Sequence, residues 1–281
     1  MSARNLSLRR VATPAPCDCK LVTELVDYLN DRIDRLGDGV GEPHFSAQSA
    51  RLLLRGARVE AEVGPFVLRT EAHRIAPVVA PGLVDGWYSA LSVTTRSGRP
   101  LNAETLLRLQ VSDAAAVAMD RLYRVLHMIN HLGCGRERLD LWVHTSLRHV
   151  LAVEGRHGAF FEELLKRCGL GPERIVLIVP LLAVEDADFA RLATACGEYA
   201  SRGFRLALDV DVPTRRSVEA IAALAPDYLR VRERDLAALR ALGAATRALV
   251  RDLGRVAASA PPFGASDLIE MYDSRRPVFL S

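Results

Sequence analysis

Charged residues follow two apolar runs in the second half of the chain. Asp209 ends the run "RLALD", and Arg230 and Arg232 belong to the end of the run "YLRVR". If both runs are neighbouring parallel strands, these side chains meet at one edge of the sheet. A carboxylate beside two guanidinium groups can help to bind an anionic ligand, or it can form an ion pair with one arginine that only stabilises the fold. The structural ion pair is the interpretation that we favour.

A second set of candidate residues is a group of four histidines between positions 127 and 149. His127 and His131 lie four residues apart on a predicted helix, a spacing that can hold zinc. That helix runs antiparallel to the following strand "LDLWVHTS", so His131 lies near the start of the strand and His144 near its far end. The separation is about 15–20 Å at roughly 3.3 Å per residue, and His149 lies further on. We therefore interpret these histidines as solvated or hydrogen-bonded in the core.

Two smaller motifs have weak functional interpretations. Arg215 and Arg216 begin a predicted helix, where they could help to bind phosphate, but a solvated helix end is the favoured alternative. Cys17 and Cys19 could supply half of a metal site, although no second pair of cysteines matches them. We predict no metal and no cofactor.

The composition is that of a soluble globular protein with a sizeable core. The chain has 281 residues, of which 49% are hydrophobic and 25% charged, and its net charge of +3 is too small to indicate nucleic-acid binding. Five cysteines without a disulfide spacing favour a reducing compartment, the cytoplasm. The segment "MSARNLSLRRVATPAP" lacks the apolar stretch of a secretory signal, and no window reaches the roughly 18 apolar residues of a membrane span.

The elements that must position these residues fall into three regions. Residues 1–16 are predicted to be a flexible tail. Residues 17–57 are predicted to be an N-terminal helical extension, with one helix over 18–36 and a second, short helix over 45–56. Residues 58–281 alternate between short apolar runs and segments of helical periodicity, which is typical of a closed α/β barrel.

Eight strands are predicted for this barrel. Two strand-like segments, 58–75 and 85–95, flank a turn at Pro81-Gly82, so the first pair is expected to be antiparallel. Helix and strand then alternate, ending with helices over 235–254 and 265–273 and strands over 255–260 and 277–281. The predicted fold class is α/β, a TIM-like barrel with an antiparallel first strand and an N-terminal helical extension.

The first helix carries an apolar stripe, which we call the α1 seam. Its members recur every three or four residues along one helix face: Val22, Leu25, Leu29, Ile33 and Leu36. A helix of this length needs another surface to be stable. The α1 seam can pack on the protein's own barrel, or it can be an interaction helix that binds a second copy in a homodimer or another protein. Both alternatives stay open on the sequence.

Several segments after about Phe66 resemble, in order, the motifs of the EAL domain, the cyclic di-GMP phosphodiesterase fold. "GWYSALSV" is similar to the strand motif G-x-E-A-L-x-R, and "CGLGPERIVLIVP" resembles the segment that ends in L-E-I-T-E. "RLALDVDV", "LAPDYLRVR" and "LGRVAASA" resemble the D-D-F-G, D-Y-L-K-I-D and A-E-G-V-E segments. The resemblance implies an eight-stranded barrel whose active members hold Mg²⁺ or Mn²⁺ through oxygen ligands at the strand ends.

The positions that the resemblance assigns to functional residues are mostly changed in this chain. The resemblance places the EAL glutamate at Ser89, the arginine that binds the ligand phosphate at Val93 and the metal-binding asparagine at His144. It places the L-E-I-T-E glutamates at Ile178 and Leu181 and the D-D pair at Asp209 and Val210. The catalytic lysine falls at Arg230, the following aspartate at Arg232 and the A-E-G-V-E glutamate at Ser259. One carboxylate remains, and guanidinium groups repel metal ions.

These replacements predict a non-catalytic regulatory protein of bacterial signalling, in biofilm or motility control, that binds a protein partner of unknown identity. One alternative is a metal-independent receptor for cyclic di-GMP or another nucleotide; its candidate pocket comprises Ser89, Val93, His144, Asp209, Arg230, Arg232 and Ser259. We expect weak or absent cyclic di-GMP binding, because Val93 replaces the arginine.

Another alternative is an enzyme with altered chemistry that uses Asp209, His144 and Arg230. The barrel mouth distinguishes ligand binding from protein binding. An open, positively lined mouth favours a ligand, whereas a mouth plugged by Ile178, Leu181 and Val210 favours protein binding alone.

Overall fold

The structure of the protein is a computed structural model, which describes residues 19–33, 36, 50–77, 86–108, 110–181, 186–210, 214–231, 235, 238, 247–250 and 268–272. The predicted tail, the predicted strands over 255–260 and 277–281, and the positions Arg232 and Ser259 lie outside these residues. The α-helices within the described ranges are α1 (Cys19–Asn30), α2 (Ala103–Arg108), α3 (Asp113–Gly133), α4 (Leu147–Ala152), α5 (Ala159–Arg167), α6 (Asp186–Ser201) and α7 (Arg215–Leu224).

Eight of the strands form a closed ring. The strands are β1 (Ala50–Arg55), β2 (Arg58–Val63), β3 (Phe66–Pro77), β4 (Gly86–Thr95), β5 (Pro100–Leu101), β6 (Asp140–His144), β7 (Ile175–Pro180), β8 (Arg205–Asp209), β9 (Tyr228–Val231), β10 (Arg247–Val250) and β11 (Leu268–Tyr272). β3 pairs antiparallel with both β4 and β11. From β4 through β6, β7, β8, β9 and β10 to β11, every neighbouring pair is parallel. The predicted barrel with an antiparallel first strand is thus confirmed.

A hairpin of β1 and β2 extends the sheet at β3. The prediction of a short helix over 45–56 is wrong for residues 50–55, which form β1. The run "ARLLLR" is compatible with the periodicity of a helix and with that of a strand. The strand forms because it places Leu52, 1% exposed, in the core while Arg51 on the opposite face is exposed. Gly56, at φ 61°, supplies the left-handed turn into β2. The predicted boundary between residues 57 and 58 falls in this turn, so the two regions share one sheet.

The last barrel strands lie earlier in the chain than predicted. β10 and β11 lie within the segments 235–254 and 265–273, which were predicted to be helices, so both predictions are wrong over the strands. Each short apolar run fills a vacant place in the ring, β10 beside β9 and β11 beside β3, and this pairing outweighs the helical spacing of the surrounding sequence. The strand beside β9 is therefore not 255–260, which removes the support for placing the A-E-G-V-E glutamate at Ser259.

Two apolar cores lie on the two faces of the ring. The inner core contains Ile75, Tyr88, Trp142, Val176, Ile178, Ala207 and Tyr228. The outer core lies between the strands and the helices and is larger, with α3 contributing most of one helix face. β6 and β7 are buried on both faces, as expected for parallel strands covered by helices.

The α1 seam packs on the protein itself. Its five residues are between 3% and 8% exposed and belong to the outer core, where α1 contacts β1 and α3. The side-chain amide of Asn30 donates to the backbone oxygen of Leu52 at 2.9 Å and accepts from the backbone N–H of Leu52 at 2.8 Å. Within the single chain the seam is therefore covered, and its interpretation as an exposed interaction helix does not fit this structure.

Candidate functional site at the barrel mouth

The carboxyl ends of the parallel strands bring several inward-facing side chains together. Tyr88 of β4 and Ile178 of β7 belong to the inner core, and strand alternation and register place His144, Asp209 and Arg230 on the same face. Ile178 is fully buried, whereas His144, Asp209 and Arg230 are partly exposed. In an α/β barrel this end of the strands is where binding and catalytic residues lie.

An ion pair joins β8 and β9 at this mouth. Arg230 Nη1 lies 2.6 Å from Asp209 Oδ2, and the two side chains are 12% and 13% exposed. The backbone continues this pairing, because Val210 N–H donates to the Arg230 oxygen at 2.9 Å and Leu181 N–H donates to the Asp209 oxygen at 3.0 Å. The favoured interpretation of Asp209 and Arg230 as an ion pair is confirmed.

An aromatic ring lies beside the guanidinium group of Arg230. The Arg230 guanidinium carbon lies 5.2 Å from the ring centre of Tyr88, within the range of a cation–π contact. The Tyr88 ring meets His144 edge-on at 5.6 Å and His73 at 5.8 Å. The mouth is therefore a mixed aromatic and cationic surface in which one carboxylate offsets one guanidinium group.

The side-chain directions of β4 correct the assignment of Ser89 and Val93. Ser89 is 3% exposed and pairs with Val143, and Val93 is 2% exposed; both Val143 and Val93 belong to the outer core. Ser89 and Val93 thus face the helices, and neither can line the inside of the barrel. The inward residues of β4 are Tyr88, Ala90 and Ser92.

The error was a shift of one residue. Counted from Gly86, the motif G-x-E-A-L-x-R places its glutamate at Tyr88 and its arginine at Ser92. A shift of one residue turns every side chain of a strand to the other face, so side-chain direction decides between the two registers. Neither corrected position carries a carboxylate or a guanidinium group.

The remaining assigned positions divide between the two faces of the ring. Ile178 fills the inside of the barrel, whereas Val210, 1% exposed, belongs to the outer core and Leu181 packs against it. Of the three residues proposed to plug the mouth, only Ile178 therefore does so. In the part of the chain that the structure describes, no group of three or more His, Cys, Asp or Glu side chains could hold a metal ion.

The buried histidines are hydrogen-bonded within the core, as predicted. His127 Nδ1 lies 2.8 Å from Thr70 Oγ1, and His131 Nε2 lies 3.2 Å from the backbone oxygen of Leu139. Burial lowers the pKa of His127 to about 3 and that of His131 to about 4. These two histidines are neutral at pH 7 and serve the packing of α3 against its neighbours.

The predicted phosphate site at the start of α7 is a solvated helix end. The side chain of Arg215 is 91% exposed and pairs with Glu219 one turn later. Thr214 and Ser217 form a capping box that satisfies the first N–H groups of the helix. The backbone N–H groups at the start of α7 are thus hydrogen-bonded within the helix end, and Arg215 faces water.

One buried ionic cluster was missed from the sequence. Asp120 on α3 is fully buried; its carboxylate lies 2.5 Å from Arg124 Nη2 and 3.5 Å from His149 Nδ1, and it accepts hydrogen bonds from the Tyr123 hydroxyl at 2.5 Å and from Ser146 N–H at 2.6 Å. Burial would raise the pKa of Asp120, but Arg124 and the other partners hold it below its usual value. The signal in the sequence was the spacing of Asp120 and Arg124, four residues apart on α3, most of whose residues are buried.

Comparisons with known proteins identify the fold. No family model matches the sequence, and a search of curated proteins found no match. Among solved structures, the EAL domain of FimX from Pseudomonas aeruginosa bound to c-di-GMP superposes with a TM-score of 0.57 at 13% identity, covering 73% of this chain and 88% of that chain.

Two further structures give similar superpositions. YkuI from Bacillus subtilis, a protein with an EAL domain solved with substrate c-di-GMP and calcium, has a TM-score of 0.52 at 18% identity and 66% coverage of this chain. BlrP1 from Klebsiella pneumoniae, solved with calcium and c-di-GMP, has a TM-score of 0.52 at 11% identity and 87% coverage. The chain spans 49% of the length of YkuI and 61% of that of BlrP1. The ring topology and these superpositions together show that the chain has an EAL-domain fold.

Proposed function

We propose that this protein is a non-catalytic regulator in bacterial cyclic di-GMP signalling that acts by binding a protein partner. The observation that carries the proposal is the ion pair at the mouth, where Arg230 holds Asp209 at 2.6 Å. A dimetal site needs several oxygen ligands that are available to the ions. Of the positions that the EAL motifs assign to metal ligands, the one that keeps a carboxylate, Asp209, is engaged by a guanidinium group, and Tyr88, His144 and Ile178 occupy three of the others.

A cytoplasmic protein fits this role. Cys168 and Cys196 are free thiols, and burial raises the pKa of each to about 11, so neither is a reactive thiolate at neutral pH. Within the described residues, no helix is long and apolar enough to cross a bilayer.

The first test is incubation with cyclic di-GMP and Mg²⁺ or Mn²⁺. We expect the nucleotide to stay intact, because the inward positions do not provide a metal cage. Metal-dependent turnover that disappears in Asp209→Ala and persists in the surface variant Arg215→Ala would support the alternative of an active enzyme. Both variants should first be shown to fold by circular dichroism.

A second candidate function is a metal-independent receptor for cyclic di-GMP, and the cluster of Arg230, Tyr88 and His144 favours it. Guanidinium and aromatic groups can hold a phosphate and stack on a base without metal. Against it, Ile178 fills the inside of the barrel and Asp209 already offsets the charge of Arg230.

Calorimetry with cyclic di-GMP in the presence of a chelator separates the two functions. We expect no saturable heat from the unaltered protein. Saturable binding of micromolar strength that is lost in Arg230→Gln and kept in Arg215→Gln would identify the receptor instead. Asp209→Asn provides the matched gain-of-binding variant, because it leaves the guanidinium of Arg230 without its offsetting charge.

A further inference from the structure

Strands β2 and β3 diverge beyond a short paired segment and leave a cavity between them and the end of α3. Along these two strands, pairing is limited to residues 61–63 of β2. Before that segment, the side chain of Asn130 on α3 takes the place of a neighbouring strand. It accepts from the backbone N–H of Val59 at 2.9 Å and donates to the Val59 oxygen at 2.8 Å. The cavity has a volume of about 440 Å³, within the range of small-molecule sites.

Charged side chains line this cavity, and the cations outnumber the anions. The arginines are Arg58, Arg69 and Arg136, and the carboxylates are those of Glu60 and Glu71. Glu60 is held by Arg69, whose Nε lies 2.6 Å from Glu60 Oε1 and whose Nη2 lies 3.3 Å from Oε2. With three guanidinium groups against two carboxylates, the lining carries an excess of at least one positive charge.

Arg58 and Arg136 are the two guanidinium groups of the lining that no carboxylate offsets directly. In the part of the chain that the structure describes, neither of them forms an ion pair. Arg136 is half-buried, and its guanidinium carbon lies 3.5 Å from the ring centre of Trp87. Burial lowers the pKa of Arg136, and the positive charge of Arg58 lowers it as well. Two guanidinium groups that repel each other in this way favour an anion that contacts both.

We propose that this cavity binds a small organic anion whose carboxylate or phosphate group lies between Arg58 and Arg136. Guanidinium groups donate paired N–H bonds to the oxygens of both kinds of group. The cavity has room for a body beyond the anionic group, and its wall carries the hydroxyls of Thr70, Ser89 and Ser92, which favour a hydroxylated body over an apolar one. The site is independent of the proposed function, because the cavity contains neither residue of the ion pair at the mouth.

The test is calorimetric titration of the full chain with glucose 6-phosphate and, separately, with gluconate, at an ionic strength held constant with sodium chloride. These probes carry a phosphate and a carboxylate on a hydroxylated body. We expect saturable binding of at least one of them and none of uncharged glucose. Arg58→Gln/Arg136→Gln should weaken this binding by roughly tenfold for each guanidinium removed. The matched control, Arg51→Gln/Arg138→Gln, removes the same charge from exposed positions that do not line the cavity and should bind like the unaltered protein.

A second variant and a direct readout protect the test against a general loss of stability. Arg58→Gln alone changes an exposed position, so it reports on the site even if Arg136→Gln does not fold. In crystals soaked with the anion that binds, its charged group should lie within hydrogen-bond reach of both arginines. Binding of only one probe would support the proposal and identify a phosphate or a carboxylate ligand. Binding of neither probe, equal weakening in both double variants, or an anion bound only at Arg230 would overturn the proposal.

Discussion

Two carboxylate–guanidinium pairs in this chain differ in what encloses them. Asp209 and Arg230 lie at the barrel mouth, 13% and 12% exposed, among aromatic side chains and near water. Asp120 and Arg124 lie within the helix layer, on α3, at 0% and 3% exposure, and Tyr123, Ser146 and His149 are among their further partners. The sealed pair has the partners of a structural element, whereas the mouth pair lies at the strand ends where α/β barrels bind ligands.

The difference shows why a charged pair cannot be assigned a role from its geometry alone. The two pairs have nearly equal N–O distances, 2.5 and 2.6 Å. What separates them is desolvation, since the charges of the buried cluster are almost completely removed from solvent and those of the mouth pair are not. In the mouth pair, Asp209 or Arg230 can exchange its partner for water or for a ligand.

The largest expected effect is therefore at the sealed pair. Arg124→Met leaves the Asp120 carboxylate buried without its main counter-charge, and we expect the free energy of unfolding to fall by about 3–5 kcal/mol in urea titrations. Arg230→Met, the matched variant at the mouth, should cost less. The double variant Asp120→Asn/Arg124→Met should recover part of the loss, because no buried charge remains. Equal losses at the two pairs would break the comparison.

The next largest expected effect is a dependence of the free energy of unfolding on pH, which arises from buried histidines on the helices. Burial lowers the pKa of His127 and His149 to about 3 and that of His131 to about 4, against roughly 6.5 in the unfolded chain. Between these values only the unfolded state binds the protons. Stability is therefore fully present above about pH 6.5 and is lost as the pH falls, by up to about 1.4 kcal/mol per pH unit for each histidine.

Urea unfolding at pH 7.0 and about pH 5.5 measures this dependence. His127→Asn should reduce the slope by its own share, while His73→Asn, on the inner face of β3, serves as the comparison variant. A slope that is unchanged by His127→Asn would show that His127 is not one of its sources.

The features of the fold and of the candidate site that depend on local sequence could be predicted, whereas those that depend on contacts between distant segments could not. The alternation of apolar runs and helical segments predicted the ring, and the charges at the ends of "RLALD" and "YLRVR" predicted the pair of Asp209 and Arg230. The direction of Ser89 was not predictable from the motif alone, because a shift of one residue exchanges the two faces of a strand.

The last two barrel strands were missed for a related reason. Their sequences carry helical spacing, and the vacant places beside β9 and β3 decided their structure. Beyond Tyr123 and Arg124 on its own helix, the partners of Asp120 likewise come from α4 and the residues just after β6, about 25 residues or more away along the chain. Such contacts depend on the completed fold, which sequence spacing does not contain.

A smaller effect is expected at the mouth. Asp209→Asn keeps the shape of the side chain but removes the charge that Arg230 faces, and we expect unfolding in urea to become easier by about 1–2 kcal/mol. This loss should shrink in high salt or in the presence of an anion that Arg230 can bind, because solvent and ions reach the mouth. The loss from Arg124→Met should not shrink in the same way. A loss at Asp209→Asn as large as that at Arg124→Met would show that the mouth is sealed.

The smallest expected change in stability comes from backbone strain at a position outside both ion pairs. Ala225 ends α7 at φ 42°, the left-handed region, just before the strand that carries Arg230. Glycine adopts this conformation without the steric cost of Cβ, so we expect Ala225→Gly to raise the free energy of unfolding by about 0.5–1 kcal/mol. The control Ala222→Gly, at an exposed helical position in α7, should lower the free energy of unfolding by a similar amount. Because Ala225 precedes β9 whereas Arg230 lies near the far end of that strand, we expect its gain to add unchanged to Arg124→Met and to Arg230→Met. A gain that vanishes in Arg230→Met alone would mean that the turn and the mouth pair are coupled, and the mouth would then be part of the structural framework rather than a separable surface.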